Sequence, residues 1–261
     1  VVGEARPRDE FVQSLARGLS VIAAFDADHP SMTLSEVAAQ TALSRAAARR
    51  FLHTLVELGY VHTDGRGFAL TPQVLRLGTS YLSGLGLPAI AQPHLERLSG
   101  VVGESTSAAV LDGRDIVYVA RAATRRIMSV GITVGTRFPA YATSMGRVLL
   151  ASLDPGDLDA YLSAVEMPPL TDRTIKDPSA LRDEIDTVRR QGWCVVDQEL
   201  EAGLRSVAVA VRRGGRAVAA VNVSTSVAAS DVASLTEQHL EPLRATAVAI
   251  GADLDASLLF G

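Results

Sequence analysis

Apolar residues recur along the chain at two different spacings, and the change between them divides it. Up to about residue 88 the spacing is helical. Phe11, Leu15, Leu19 and Ile22 fall every three to four residues, which predicts an amphipathic helix ending between Asp26 and Pro30. Thr33, followed three residues on by Glu36, is a capping-box signature for a short second helix. Ser44 caps a longer third helix, on which Ala48, Phe51, Leu52, Leu55 and Leu58 form one apolar stripe before Gly59 closes it. Only a few residues separate the second and third helices, which is a helix-turn-helix arrangement. Two short strand-like runs then flank Asp64-Gly65-Arg66-Gly67, a hairpin signal that adds a wing. Thr71-Pro72 restarts a helix with Val74, Leu75, Leu77, Leu82 and Leu85 on its apolar side, and Gly84-Leu85-Gly86-Leu87-Pro88 breaks it.

From Ala89 the pattern turns mixed. Residues 93–98 read as a helix closing at Gly100, and 105–111 and 116–120 as strands around Asp112-Gly113. Residues 125–134 read as a further strand and 135–139 as a loop. Thr143-Ser144 caps a short helix through Leu150, Asp154-Pro155 another, and Asp177-Pro178 a third ending before Gly192. A β-like run over 193–197 leads into residues 198–203. Residues 207–211 and 217–223 make a second hairpin around Gly214-Gly215, and Ser230 caps a long terminal helix disturbed at Pro242. Strands arriving as hairpins between helices imply a largely antiparallel sheet with helices packed on it. The expected fold class is α+β, with a winged helix-turn-helix over 1–71, a linker helix over 72–88 and a second domain over 89–261.

Opposite the apolar stripe of the third helix lie Ala46, Arg50 and His53. Arg49 flanks the stripe, and Ser44 and Arg45 occupy the exposed first turn. Alanines between arginines let a helix backbone approach base edges, while a guanidinium donates two hydrogen bonds to guanine or grips a phosphate. Arg66 on the wing tip is a candidate phosphate or minor-groove contact. The competing reading is the solvated face of an ordinary helical hairpin. Capping, wing and basic front point together to DNA binding.

Residues 43–61, from Leu43-Ser44-Arg45-Ala46-Ala47-Ala48-Arg49-Arg50 to Gly59-Tyr60-Val61, resemble the recognition helix and wing entry of the isocitrate-lyase-regulator (IclR) family of bacterial transcription factors. The opening Ser-Arg-Ala-Ala-Ala-Arg-Arg is similar to the branch controlling protocatechuate, 4-hydroxybenzoate and β-ketoadipate catabolism. Residues 14–22 resemble the family's first helix, packed behind the helix-turn-helix. Residues 135–151, 177–201 and 203–225 resemble its GAF-like effector-binding domain, so the likeness covers nearly the whole chain. It implies an effector pocket at Ser144, Met145, Asp197, Ser206, Asn222 and Ser224, and assembly as dimers and dimers of dimers. Met145 is larger than the small residues the family often presents at that helix entry.

Charge and composition narrow the alternatives. The net charge of −4 over 261 residues excludes a general polyanion coat and suits site-directed DNA contact by local arginines. Cys194 is the single cysteine, so no intrachain disulfide framework is expected. No apolar run of about 18 residues exists and no signal-peptide pattern opens the chain, which makes a soluble cytoplasmic protein without membrane partners the expectation.

Catalytic signals are weak. His29, His53, His62, His94 and His239 show no metal-ligand spacing, and neither a phosphate loop nor a Gly-x-Ser-x-Gly elbow appears. The Gly84, Gly86, Ala89 spacing formally fits a dinucleotide fingerprint, yet it follows a helix and contains Pro88, so it is rejected. Asp197, Glu199 and Glu201 alternate like paired carboxylates, but a solvated edge or a loop holding its own shape explains them better. Cys194 beside Trp193 reads as a small core residue. No cofactor or metal is expected.

A binding pocket is better supported. Ser144-Met145-Gly146 opens a helix whose free N–H groups suit a carboxylate, and Ser206, Asn222 and Ser224 are polar on otherwise apolar strands, where each needs a partner. Ser206 and Ser224 facing outward is the alternative. For Asp197 the expectation is that it pins the 198–203 loop through backbone N–H groups. The expected function is regulation of operator DNA binding by a small organic acid. The alternatives are an enzyme acting on such an acid, with the helix-turn-helix as an interaction module, and an architectural DNA-binding protein whose second domain only oligomerises.

Overall fold

The computed structural model describes residues 11–26, 28–78, 86–124 and 132–257. The chain divides into two compact units, Val1–Tyr81 and Leu82–Gly261.

In the first unit, α1 (Gln13–Ala23), α2 (Leu34–Gln40) and α3 (Arg45–Glu57) are followed by the strands β1 (Val61–Thr63) and β2 (Phe68–Leu70). The capping box at α2 is complete: the Thr33 hydroxyl accepts from the Glu36 N–H, and Glu36 accepts from the Thr33 N–H at 2.7 Å. Between α2 and α3 the chain turns through Ala42 at φ 53°, a left-handed conformation unusual for alanine. β1 and β2 pair antiparallel, and Met32 bridges Phe68 to add a third edge to the wing. The core gathers Val21, Phe25, Met32, Val37, Ala48, Leu52, Leu55 and Val61. The α1 stripe departs from expectation. Phe11, Leu15 and Leu19 are exposed, Val21 carries the burial, and Leu58 at the foot of α3 is 56% exposed. Thr71 caps a 3-10 turn over Pro72–Val74 that continues as helix over 75–78; the rest of the expected linker helix, with Leu82 and Leu85, lies outside the described residues.

The second unit begins with α4 (Leu87–Val102) and the strands β3 (Ser105–Asp112), β4 (Asp115–Ala122) and β5 (Arg137–Pro139). Then follow α5 (Ser144–Leu150), α6 (Pro155–Ala164), α7 (Pro178–Gln191), β6 (Trp193–Asp197), β7 (Leu204–Arg213), β8 (Arg216–Ser226) and α8 (Val232–Ala256). The six strands form one sheet in the order β5-β4-β3-β8-β7-β6, every neighbouring pair antiparallel. On one face α4 and α8 bury Leu95, Leu98, Leu243 and Ile250 against Val221 and Val223. On the other, α5, α6 and α7 bury Leu150, Leu158 and Ile185 against Ile116, Val196 and Ala220. Gly251 lets α8 lie directly on β7, where a Cβ would stand 2.4 Å from the Arg212 carbonyl oxygen.

Several sequence expectations shift here. Pro88 starts a helix, as the second residue of α4, and that helix runs through Pro93 to a left-handed Gly103 instead of closing at Gly100. A proline is tolerated in the first turn because its missing N–H has no partner there anyway. Residues 137–139 form the edge strand β5, not a loop. The expected 125–134 strand falls mostly outside the described residues, and 132–134 are not strand. Asp231, not Ser230, caps α8 through the Ser234 N–H.

Candidate functional site

The outer face of α3 is built by its own capping and packing. The Ser44 hydroxyl accepts from the Ala47 N–H at 3.2 Å, while Ala48, Leu52 and Leu55 anchor the helix from behind. This leaves Ser44, Arg45, Ala46, Arg49, Arg50 and His53 exposed on the other side. The His53 ring meets Phe68 of β2 edge-on at 6.5 Å, so it also braces the helix against the wing. At the wing turn the Asp64 carboxylate accepts from the N–H groups of Arg66 and Gly67 at 2.9 and 2.8 Å. These bonds, chiefly that from Gly67, hold its carboxyl below the usual range. The turn presents Arg66 outward. Among the described residues Arg45, Arg49, Arg50 and Arg66 have no carboxylate partner. An unneutralised cationic helix face beside a cationic wing suits phosphates and guanine edges.

In the second unit Thr143 caps α5, and the first residue of that helix, Ser144, points its hydroxyl at Ser206 of β7, 2.7 Å away. Beside this pair lies a small cavity walled by Tyr118, Ile132, Met145, Val196, Leu200 and Leu204, with Ser206, Asn222 and Ser224 also lining it. The room it offers to the centre of a water-sized sphere is about 20 Å³. That space accepts a water but no aromatic acid, so a ligand must displace the wall. Met145, an unbranched thioether of the kind that fills irregular gaps, and Leu200 on the 198–203 loop form part of that wall. Ser144, Ser206, Asn222 and Ser224 are all buried, so the outward-facing alternative for the strand serines is excluded. Ser224 accepts from the Asn222 amide at 2.9 Å, and the other end of that amide has no partner.

Two expected site residues are placed differently. Gly146 does not line the cavity: its N–H is spent on the Thr143 hydroxyl at 3.1 Å. It is glycine because a Cβ would stand 2.2 Å from the Ala140 carbonyl oxygen. Asp197 also stays out. Strand alternation sends Val196 to the cavity and Asp197 away from it, where Arg173 holds one carboxylate oxygen at 2.5 Å and Arg205 the other at 2.8 Å. Asp197 therefore pairs with arginines and does not hold the loop through backbone N–H groups.

The loop is held by Glu199. Its carboxylate takes two hydrogen bonds from Arg147 of α5, at 2.8 and 2.5 Å, and a third from the Ile175 N–H at 3.1 Å. Thr171 and Thr174 donate to the Gln198 and Glu199 carbonyls, both at 2.7 Å. Gln198 itself sits at φ 64°, a strained turn for a residue with a side chain. Glu199 thus takes the loop-holding part expected of Asp197. Cys194 is wholly buried, and burial pushes its thiol up to about 12, which fits a core residue. Tyr118 was not visible as a site residue in the sequence. It packs edge-on against Phe138 at 5.8 Å, and burial raises its phenol to about 12. Among the described residues no cluster of acids, histidines and cysteine could hold a metal, and no helix is long and apolar enough to cross a membrane.

A winged helix-turn-helix followed by an α+β unit that encloses a polar-lined cavity is the architecture of a DNA-binding regulator. The IclR helix-turn-helix model matches residues 14–65, and the IclR C-terminal model of bacterial transcriptional regulators matches residues 79–252. The chain belongs to the IclR family. It is 48% identical over 238 residues to the Pca regulon regulatory protein of Pseudomonas putida, covering 90% of this chain and 82% of that one. It is 37% identical to the p-hydroxybenzoate hydroxylase transcriptional activator of Acinetobacter baylyi, covering 92% and 90%. Among solved structures, an IclR homologue from Microbacterium hydrocarbonoxydans complexed with 4-hydroxybenzoate superposes with a TM-score of 0.83 at 29% identity, covering 93% and 99%. These relatives are regulators, which sets the enzyme alternative aside: the chain is a transcriptional regulator.

Proposed function

We propose that this chain controls genes of aromatic-acid catabolism, α3 and the wing reading operator DNA and a small organic acid entering the cavity between α5 and the sheet. The observation that carries the reading is the buried Ser144–Ser206 hydroxyl pair beside the half-satisfied Asn222 amide. Polar groups enclosed by apolar walls are costly unless a ligand or water completes them. The relatives named for the Pca regulon and p-hydroxybenzoate hydroxylase, and the 4-hydroxybenzoate complex, support an aromatic acid or a product of its breakdown. Ser144, Met145, Ser206, Asn222 and Ser224 contact it, and Ser44, Arg45, Ala46, Arg49, Arg50, His53 and Arg66 contact DNA. Isothermal titration of the full chain with 4-hydroxybenzoate, protocatechuate and β-ketoadipate tests the reading. Saturable binding of at least one, weakened by Ser206→Ala, is expected; no binding by any of them contradicts it.

The protein works as a homodimer, with dimers pairing further, across domains at 1–71, 72–88 and 89–261. Phe11, Leu15, Leu19 and Leu58 expose apolar surface along α1 and the foot of α3, and Leu75 and Leu77 do so further on, more than a lone small unit normally leaves uncovered. Paired recognition helices about one DNA turn apart then meet successive major grooves. Sedimentation of Leu15→Glu/Leu19→Glu is expected to show a weakened dimer.

A further inference from the structure

The strand register lays a polar strip across the cavity face of the sheet. Ser206 of β7 pairs with Ser224 of β8, which pairs with Ser105 of β3. One step along, Asn222 pairs with Ser107, which pairs with Arg121 of β4. The strip ends at that arginine, half-buried one residue before the end of β4. A register shift in the β3–β4 ladder turns Val119 and Ala120 both toward the α4–α8 face and brings the Arg121 side chain back to the cavity face. Gln92 of α4 takes both the N–H and the C=O of Arg121, at 3.3 and 3.1 Å, and so fixes its backbone.

The Arg121 guanidinium is under-used. One Nη donates to the Ser107 hydroxyl at 3.2 Å, its Nε is buried without a partner, and no described carboxylate pairs with it. Burial without a counter-ion lowers its pKa from the usual arginine value. An uncompensated half-buried cation is costly, and a bound anion relieves that cost. The unpartnered end of the Asn222 amide lies in the same cross-strand row, so two unsatisfied polar groups flank Ser107.

We propose that Arg121 is the anion-binding residue of the effector site: it takes the carboxylate of an elongated acid whose other, oxygen-bearing end reaches the Ser144–Ser206 hydroxyls. This rests on the effector reading above and reverses the ligand's expected direction, since α5 is only seven residues long and one of its first N–H groups is already spent on Thr143. The span supports it. Three inter-strand steps separate β7 from β4, roughly 14 Å at the usual strand spacing, and the arginine side chain covers part of that distance. A ring with a carboxylate and a para oxygen, or a six-carbon chain acid at both ends, fills the remainder, whereas acetate or pyruvate does not.

The test is isothermal titration of full-length wild type, Arg121→Gln and Arg121→Lys with 4-hydroxybenzoate, its neutral amide 4-hydroxybenzamide, and adipate. Wild type is expected to bind its preferred acid about ten- to a hundredfold more tightly than the amide, the usual worth of a charge-assisted hydrogen bond. Arg121→Gln should bring that ratio near one, and Arg121→Lys should restore part of it. A purely structural role would weaken acid and amide alike. Acid preference retained in Arg121→Gln overturns the assignment while the effector reading stands, and a wild-type ratio near one overturns it without any variant. Wild-type binding of none of these probes, nor of protocatechuate or β-ketoadipate, overturns both.

Discussion

Arg147 and Glu199 meet through two guanidinium–carboxylate hydrogen bonds of 2.8 and 2.5 Å, with Arg147 1% exposed. The Arg147 Nε also donates to the Tyr141 carbonyl at 2.8 Å. The pair ties the helix bearing Ser144 to the loop bearing Leu200, and both line the cavity. A ligand that moves either wall therefore works against the other. Removing one partner leaves a buried charge uncompensated, which costs about 3–5 kcal/mol. Urea denaturation is expected to show a loss of that size for Arg147→Met, and much less for Arg147→Met combined with Glu199→Leu. Equal losses in both would show that packing, not pairing, dominates.

Gly146→Ala places a methyl group against the Ala140 carbonyl oxygen and the Thr143 hydroxyl, which would lie 2.2 and 2.5 Å from it. Backbone cannot yield as a side-chain tip does, so a loss of at least about 1–3 kcal/mol is expected. The start of α5 moves with it, so effector binding should weaken as well. A variant with wild-type stability and affinity would contradict the packing argument.

Arg49→Ala/Arg50→Ala should leave the fold unchanged, because both side chains are exposed and neither belongs to the α3 core. Each lost base contact costs about 1–3 kcal/mol in DNA affinity, and each lost phosphate contact lowers the salt slope by about one. Gel-shift titration at two salt concentrations separates the two. Arg66→Ala should act in the second way alone.

Buried His239 has an Nδ1 without a partner, and desolvation lowers its pKa. The unfolded chain then takes up the proton first as pH falls below the usual value of about 6.5. The contribution of His239 is full above that pH and is lost on acidification through the lower folded pKa. Stability of His239→Leu should fall less steeply than wild type between about pH 6.5 and 5, followed by denaturant midpoints. Identical slopes would remove His239 from the acid response.

Much of this was readable from local signals. The Thr33–Glu36 box, the Ser44 and Asp177 caps and the left-handed Gly192 depend on residues a few positions apart, and each element starts or stops where they say. That Ser206, Asn222 and Ser224 are buried together at one cavity was legible because alternation places them on an apolar face. What depends on distant pairing was not. Asp197 looks like a pocket acid until Arg173 and Arg205 arrive from elsewhere in the fold. Arg121 lies past a register shift that interrupts simple alternation. The stripe of Phe11, Leu15 and Leu19 has helical period, but period alone does not say whether the same chain covers it.

Regulation by this route requires that an acid in the Ser144–Ser206 cavity change operator affinity. DNA enriched from a random duplex pool by the protein itself supplies the operator. Fluorescence anisotropy of that duplex is then titrated with protein, with and without the acid that binds most tightly in calorimetry, for wild type and Ser206→Ala. The wild-type Kd is expected to shift at least about fivefold on ligand, the lower end of typical allosteric coupling, and Ser206→Ala to bind the same DNA but need more acid to respond. A wild-type Kd unmoved by saturating acid would contradict it.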